Sequence, residues 1–260
     1  MMRATTRIAV AGATGRVGRH VVEVLDERGH EVVAISRPHG VDVITGKGLA
    51  DALAGVETII DAATGPSPEQ QAATEFFTTA ARNLQQAGER AGVRRMVVVS
   101  ICGIDRFTGG YAAAKLAHEQ AAESGPIPVR VLRAAQFHEF TGQLVDWGTQ
   151  GDVSHVQKMR IQPVAARAVA EALVDLAVDP GPAQAGSGVA PIAEIAGPRQ
   201  EELVDMAARL VARRGDRLRV EGVSDPADPD SALYEKGALL PGPGAILAGP
   251  TFQEWLDATA

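Results

Sequence analysis

One cysteine, Cys102, stands among 260 residues. No internal disulfide can form, and no thiolate cluster is available to hold a metal. Aromatic side chains make up only 4% of the chain. The core must therefore be built from Val, Ile, Leu and Ala, the composition of a parallel sheet covered by helices on both faces. Lysine is scarce as well, at positions 47, 115, 158 and 236 alone, so a lysine in a defined position is informative. Basic blocks are missing and the formal net charge is −7, which argues against a nucleic-acid partner. No apolar run approaches the roughly 20 residues that span a bilayer, and no long apolar segment precedes the first glycine cluster. Neither a membrane partner nor a signal peptide is expected, and the expected location is the cytoplasm. Against these absences, a hydrophobic fraction of 45% supports a sizeable core.

What is present alternates. Arg7–Ala11 reads as a strand, and Gly15–Arg28 as a helix with Val17, Val21, Val24 and Leu25 on one face and Gly29 as its stop. Further strands are expected at 31–36, 57–61, 94–100 and 128–133. A short helix is expected at 48–53, a long one from the Ser67-Pro68-Glu69 start to about Ala91, and another from Tyr111 to Ser124. Strands separated by helices of this length imply right-handed parallel crossovers and an α/β, doubly wound parallel sheet. Later helices are expected at 165–178, 199–213 and, capped by Thr251, 251–258, with 223–250 reading as loop. The reading is a single domain: 1–136 and 161–180 form the core, and 137–160 with 181–260 a small substrate lobe.

The first strand runs into Gly12-Ala-Thr14-Gly15-Arg16-Val17-Gly18 and then a helix. In this strand-to-helix context the glycines carry a specific chemistry. Gly12 permits the tight turn, Gly15 a close backbone approach to a pyrophosphate, and Gly18 close helix–strand packing. The helix N-terminus then offers free N–H groups and partial positive charge to phosphates. The second strand ends at Ser36-Arg37, where NAD-preferring sequences carry an acid to hold the ribose hydroxyls. A guanidinium there, with Arg16 in the loop, suits a 2′-phosphate, so the expected cofactor is NADP (NADPH) rather than NAD. Ala62, Ala63 and Thr64 follow the third strand, where a ligand of an open α/β sheet lies, and their small side chains let a dinucleotide pass.

Ser100 ends the fourth strand, and Tyr111 and Lys115 lie four residues apart on one face of the next helix. A Lys ammonium beside a phenol favours the phenolate and lowers its pKa. The Tyr can then exchange a proton with a carbonyl oxygen as hydride moves, and Ser100 can hold that oxygen by a hydrogen bond. Lys115 can also bind the nicotinamide ribose. Cys102, nearby, reads as a buried structural thiol. No metal site is expected.

The segments GATGRVG (12–18), VVVSICGIDR (97–106), YAAAKLAHEQ (111–120), VLRAAQFHEF (131–140) and QPVAARAVAEAL (162–173) resemble the short-chain dehydrogenase/reductase superfamily, in its atypical, NmrA-like NAD(P)H-binding branch. The resemblance implies a Rossmann-type core with a small C-terminal substrate lobe, and matches Ser100, Tyr111 and Lys115 to the superfamily's catalytic positions. The chain departs from the pattern in one respect: the well-studied catalytic members carry an Asn on an earlier helix, and the one Asn here is Asn83. The branch also includes cofactor-binding proteins with little or no activity.

Phe137, His138 and Phe140 follow the fifth strand, and Trp147 comes soon after. By the strand-end rule they border the substrate cleft, the aromatics as an apolar wall and His138 as a proton donor or orienting group. The leading expectation is an NADPH-dependent oxidoreductase acting on a carbonyl or quinone-like small molecule. Two alternatives stay open: a redox-sensing regulatory protein that binds NADP without turnover, and a biosynthetic enzyme with NAD(P)-linked oxygenation or isomerisation.

Overall fold

A computed structural model describes residues 5–179, 192–225 and 228–259. In chain order the first strands and helices are β1 (Arg7–Ala11), α1 (Gly18–Glu27), β2 (Glu31–Ile35), α2 (Leu49–Ala52), β3 (Thr58–Asp61), α3 (Gln70–Ala91), β4 (Arg95–Ile101), α4 (Gly110–Glu123) and β5 (Val129–Ala134). There follow α5 (Phe140–Gly148), β6 (Thr149–Gln150), β7 (Val153–Gln157), β8 (Arg160–Ile161), α6 (Ala166–Val178), β9 (Ala193–Ala196), β10 (Glu201–Glu202), α7 (Leu203–Arg214), β11 (Arg219–Val223), α8 (Ser231–Glu235), β12 (Ile246–Leu247) and α9 (Phe252–Ala258). A seven-stranded parallel sheet takes the order β12-β9-β5-β4-β3-β1-β2. It is the doubly wound α/β architecture read from the alternation of strands and helices. β1 is flanked in parallel by β2, with Val10 opposite Ala34, and by β3, with Val10 opposite Ile60. The winding therefore reverses beside β1, and the crevice at such a switch point is where these sheets bind ligands.

The described residues form two compact units. One takes in 5–100, 109–133, 169–179 and 192–193, and the other 101–108, 134–168, 194–225 and 228–259. The core of the first joins Ala9, Ile35, Leu53, Ile59, Leu84, Met96 and Val98. Helix α1 adds Val21, Val24 and Leu25, each at most 1% exposed, and burying each such side chain contributes about 1.5–3 kcal/mol. Two polar clamps brace α4 in this unit. Gln85 of α3 donates from Nε2 to the Ala122 and Ile127 carbonyls and accepts from the Ile127 N–H. Glu119 of α4 and Arg133 of β5 form a buried two-bond pair at 2.9 and 2.7 Å. In the second unit β11, β7 and β6 make a three-stranded sheet. Its core brings Val145, Val156, Met206, Leu210, Phe252 and Leu256 together.

Several boundaries differ from the sequence reading, each for a local reason. Helix α1 begins at Gly18, not Gly15, because 12–17 is spent on the turn, with the Gly15 N–H bonded to the Gly12 carbonyl at 2.8 Å. The cap of α3 is Glu69 rather than Ser67, since its carboxylate accepts from the Gln71 and Ala72 N–H groups. The helix expected from Arg199 begins at Leu203, because Glu201–Glu202 pairs with Arg160–Ile161. The stretch 223–250, expected as loop, holds α8 and β12 among its described residues. The expected Thr251 start of the last helix is a full capping box with Glu254.

Candidate dinucleotide site

The turn after β1 is shaped by glycine at its two ends. Gly12 has φ +74°, and a Cβ on it would stand 2.6 Å from the Ala62 carbonyl oxygen. A Cβ on Gly18 would stand 2.0 Å from the Gly12 carbonyl oxygen. At Gly15 the nearest atom is 3.1 Å away and φ is not positive. Gly12 and Gly18 are thus fixed by the fold, whereas Gly15 is fixed much less by it. Helix α1 starts at Val17-Gly18 with no capping side chain and no acid in its first turn. Nothing in that turn opposes a phosphate at the positive end of the helix. Ala62 and Ala63 are buried at the end of β3, and Thr64 is exposed. Among the loop side chains Val17 is buried, Arg16 half-buried and Thr14 exposed. Arg37 opens an exposed 3-10 turn, Arg37–His39, whose His39 Nδ1 lies 2.7 Å from the Ser36 hydroxyl.

Helix α4 carries Tyr111 and Lys115 in the same unit. Its first turn is tied to α3 by the Gly110 N–H, which donates to Gln70 Oε1 at 2.8 Å. The Tyr111 ring meets Phe77 edge-on, and its hydroxyl lies 3.3 Å from Thr64 Oγ1. Tyr111 and the strand-end Thr64 are therefore together. Ser100 on β4 is 2% exposed, and among the described residues its hydroxyl has no hydrogen-bond partner. Leaving a hydroxyl buried and unpaired costs about 1–3 kcal/mol, a cost that a bound ligand's polar atom would relieve.

Lys115 is 5% exposed. Its Nζ donates to the Val99 carbonyl at 2.8 Å and lies 2.9 Å from His118 Nδ1. The expected effect of Lys115 on Tyr111 is not what the structure has. Burial raises the phenol above its usual value, against a smaller lowering by Thr64, while the ammonium is engaged by Val99 and His118. Burial also lowers Lys115 to about 8, against the opposing charges of Asp61 and Glu119. Asp61 and His118 were not read as site residues. The spacing of Lys115 and His118, three apart on a helix, was the available signal, but Asp61 meets His118 only through the fold. Asn83 lies on α3 and donates to the Val43 and Ile44 carbonyls.

The residues expected on the substrate side lie in the second unit. His138 is fully buried, with Nε2 bonded to the Pro250 carbonyl at 3.0 Å and the ring against Phe252 and Trp255. Burial holds its pKa below the usual histidine value. Phe140 packs edge-on against Trp147, which is 56% exposed. Phe137 is half-buried and forms a bridge with Val164. Among the described residues no group of acids, histidines or cysteines could hold a metal, and no helix is long and apolar enough to cross a membrane.

A family model described as NAD(P)H-binding matches residues 12–180. A 3-beta-hydroxysteroid dehydrogenase of Mycolicibacterium neoaurum is 33% identical over 35% of this chain, and the match spans 31% of that protein's length. Similar solved structures include the NADPH-dependent quinone oxidoreductase of Escherichia coli with NADPH. It has a TM-score of 0.66 and 19% identity, with 97% of this chain and 99% of that one covered. Another is the Bordetella bronchiseptica enzyme WbmH with NAD+, with a TM-score of 0.71 and 18% identity, covering 98% and 97%. At these identities the structural likeness is one of fold, and it extends to chains holding either dinucleotide.

Proposed function

We propose that this chain, which belongs to the NAD(P)H-binding family and is an atypical member of the short-chain dehydrogenase/reductase type, is an NADPH-dependent oxidoreductase of a carbonyl or quinone-like small molecule. The observation that carries the reading is the convergence, in one unit, of the glycine turn and the Tyr111–Thr64 contact. The turn suits a dinucleotide: Gly15 has no positive φ and a single neighbour at 3.1 Å, so its glycine is the one that a ligand's close approach would explain, and the helix end behind it is uncapped by any side chain. Gly12, Gly15 and Gly18 would line the pyrophosphate with Thr14, Arg16 and Val17 around them. Ala62, Ala63 and Thr64 would line its path, and Lys115 would take the nicotinamide ribose. Arg37 supports NADP over NAD, because a guanidinium pairs with a 2′-phosphate in two parallel bonds.

When bound, the reduced cofactor supplies a hydride. The chain's own groups then handle the oxygen and its proton. Tyr111, kept protonated by burial, donates the phenolic proton to the substrate oxygen. Ser100, whose buried hydroxyl is unpaired among the described residues, donates a second hydrogen bond to that oxygen.

Titration with NADPH and NADH, followed by NADPH oxidation over a panel of ketones, aldehydes and quinones, tests this. Tighter binding of NADH would sink the cofactor assignment. Tyr111→Phe is expected to keep NADPH affinity within about twofold and to lower kcat at least about a hundredfold, the scale of positioned acid catalysis. Unchanged turnover would remove Tyr111 from the mechanism.

A further inference from the structure

Asp61, His118 and Lys115 form a buried line of hydrogen bonds, at 1%, 1% and 5% exposure. Asp61 Oδ1 accepts from the Ala63 N–H at 3.0 Å, and Oδ2 lies 3.0 Å from His118 Nε2. On the other side of the ring, His118 Nδ1 lies 2.9 Å from Lys115 Nζ, which also donates to the Val99 carbonyl at 2.8 Å. An ammonium can only donate, so Nδ1 must present a lone pair and the ring proton must sit on Nε2, where Asp61 accepts it. The Phe77 ring stacks on the imidazole at 4.8 Å and lies 4.4 Å from the ammonium, which closes that side to water. The other charged groups around the line are Glu119 of α4 and the Arg133 of β5 that pairs with it.

We propose that His118, oriented by Asp61, is a positioning residue for Lys115. It and the Val99 carbonyl take two of the ammonium's three N–H donors and leave the third for the nicotinamide ribose. This rests on the dinucleotide-binding reading above. A chain Asp⁻–His–Lys⁺ keeps the lysine charged and oriented inside a dry site, a task that Val99 alone would leave to a flexible four-carbon stem. Protonated His118 would set donor against donor and release Lys115, so the arrangement holds only while the ring is neutral. Burial and the neighbouring ammonium keep it so by pushing His118 below its usual value, outweighing Asp61 and Glu119.

The first measurement needs no cofactor. Nitrogen NMR of the histidine-labelled protein, with His118→Asn identifying the signal among six histidines, is expected to show a neutral ring protonated on Nε2 at neutral pH. A ring protonated on Nδ1, or an imidazolium, overturns the proposal. The second is NADP affinity by calorimetry. His118→Asn places an amide oxygen where Nδ1 stands, and its affinity is expected within about threefold of wild type. His118→Leu removes the acceptor and is expected to bind about tenfold more weakly or worse, the scale of one hydrogen bond to a charged group. Asp61→Asn cannot accept from both Ala63 and His118, and is expected to match the leucine variant. Equal affinity in wild type and a folded His118→Leu overturns the proposal. If the leucine variant does not fold, a tenfold loss in His118→Asn overturns it instead. A wild-type protein that binds no dinucleotide refutes the proposed function and the ribose contact with it, while the ring tautomer still reports whether His118 holds Lys115.

Discussion

Substituting alanine at Gly12 and at Gly15 should separate the fold's demand for glycine from the ligand's. At Gly12 an L-residue must hold φ +74°, which costs about 1–2 kcal/mol. Its Cβ must also be accommodated 2.6 Å from the Ala62 carbonyl oxygen and 2.7 Å from the Ala63 Cα. Both are backbone atoms of the β3 end, with no rotamer to move, and forced overpacking costs about 1–3 kcal/mol more. The sum is about 2–5 kcal/mol, and at about 2–4 °C per kcal/mol for a chain of this size the midpoint should fall by about 4–20 °C. At Gly15 there is no positive φ, and the nearest atom is 3.1 Å away. The small steric cost there is offset by the reduced freedom of the unfolded chain, about 0.4–1 kcal/mol, so melting should move by less than about 3 °C. The methyl group of Gly15→Ala would instead stand where the pyrophosphate approaches, and NADP affinity should fall at least about tenfold, or 1.4 kcal/mol. Scanning fluorimetry without cofactor and calorimetry with it give the two numbers independently. A Gly15→Ala protein that binds NADP as wild type does would show that no pyrophosphate crosses this turn. A Gly12→Ala protein that melts with wild type would refute the steric reasoning itself.

Arg37→Asp should weaken NADPH by at least about tenfold while leaving NADH within about threefold, since the loss of a bidentate phosphate pair falls on one cofactor only; parallel loss for both would remove Arg37 from the specificity argument. With Lys115 lowered to about 8 in the free protein, binding that requires the ammonium must take up a proton above that pH. NADP affinity should therefore be flat from neutral pH, where His118 is an uncharged ring, up to about pH 8 and decline above it by up to about tenfold per pH unit; a decline that begins only near the usual lysine value would contradict the burial argument, and Lys115→Met should abolish that alkaline decline. Glu119→Gln sets an amide N–H against the Arg133 guanidinium in a buried pair, which should destabilise the protein by about 3–5 kcal/mol and be visible as a lowered melting midpoint; a change below about 1 kcal/mol would show that the pair does not brace α4.

Much of the first unit was legible in the sequence, because its signals are local. A strand running into glycines, a helix with Val21, Val24 and Leu25 on one face, and a serine-ended strand ahead of Tyr111 each speak within a dozen residues, and the fold follows from their repetition. Among the elements between 137 and 161, β6 and β8 were missed because they have two residues each, too few to show a period of two. The same holds for β12, two residues inside a Pro- and Gly-rich stretch. At the site, sequence spacing placed Tyr111 and Lys115 on one helix face and expected the lysine to act on the phenol. The structure instead engages the lysine with partners that spacing could not reveal, a β4 backbone carbonyl and a histidine whose other ring nitrogen meets Asp61. Asp61 stood next to the alanines read as cofactor-lining, at the end of an apolar strand where a carboxylate is costly to bury. An acid at that place needs a partner, and the one that pays the cost is His118, 57 residues later in the chain. The buried acid was therefore the legible half of the pair: its presence on β3 already required a donor from another element, and the fold determined that this donor would also hold the lysine.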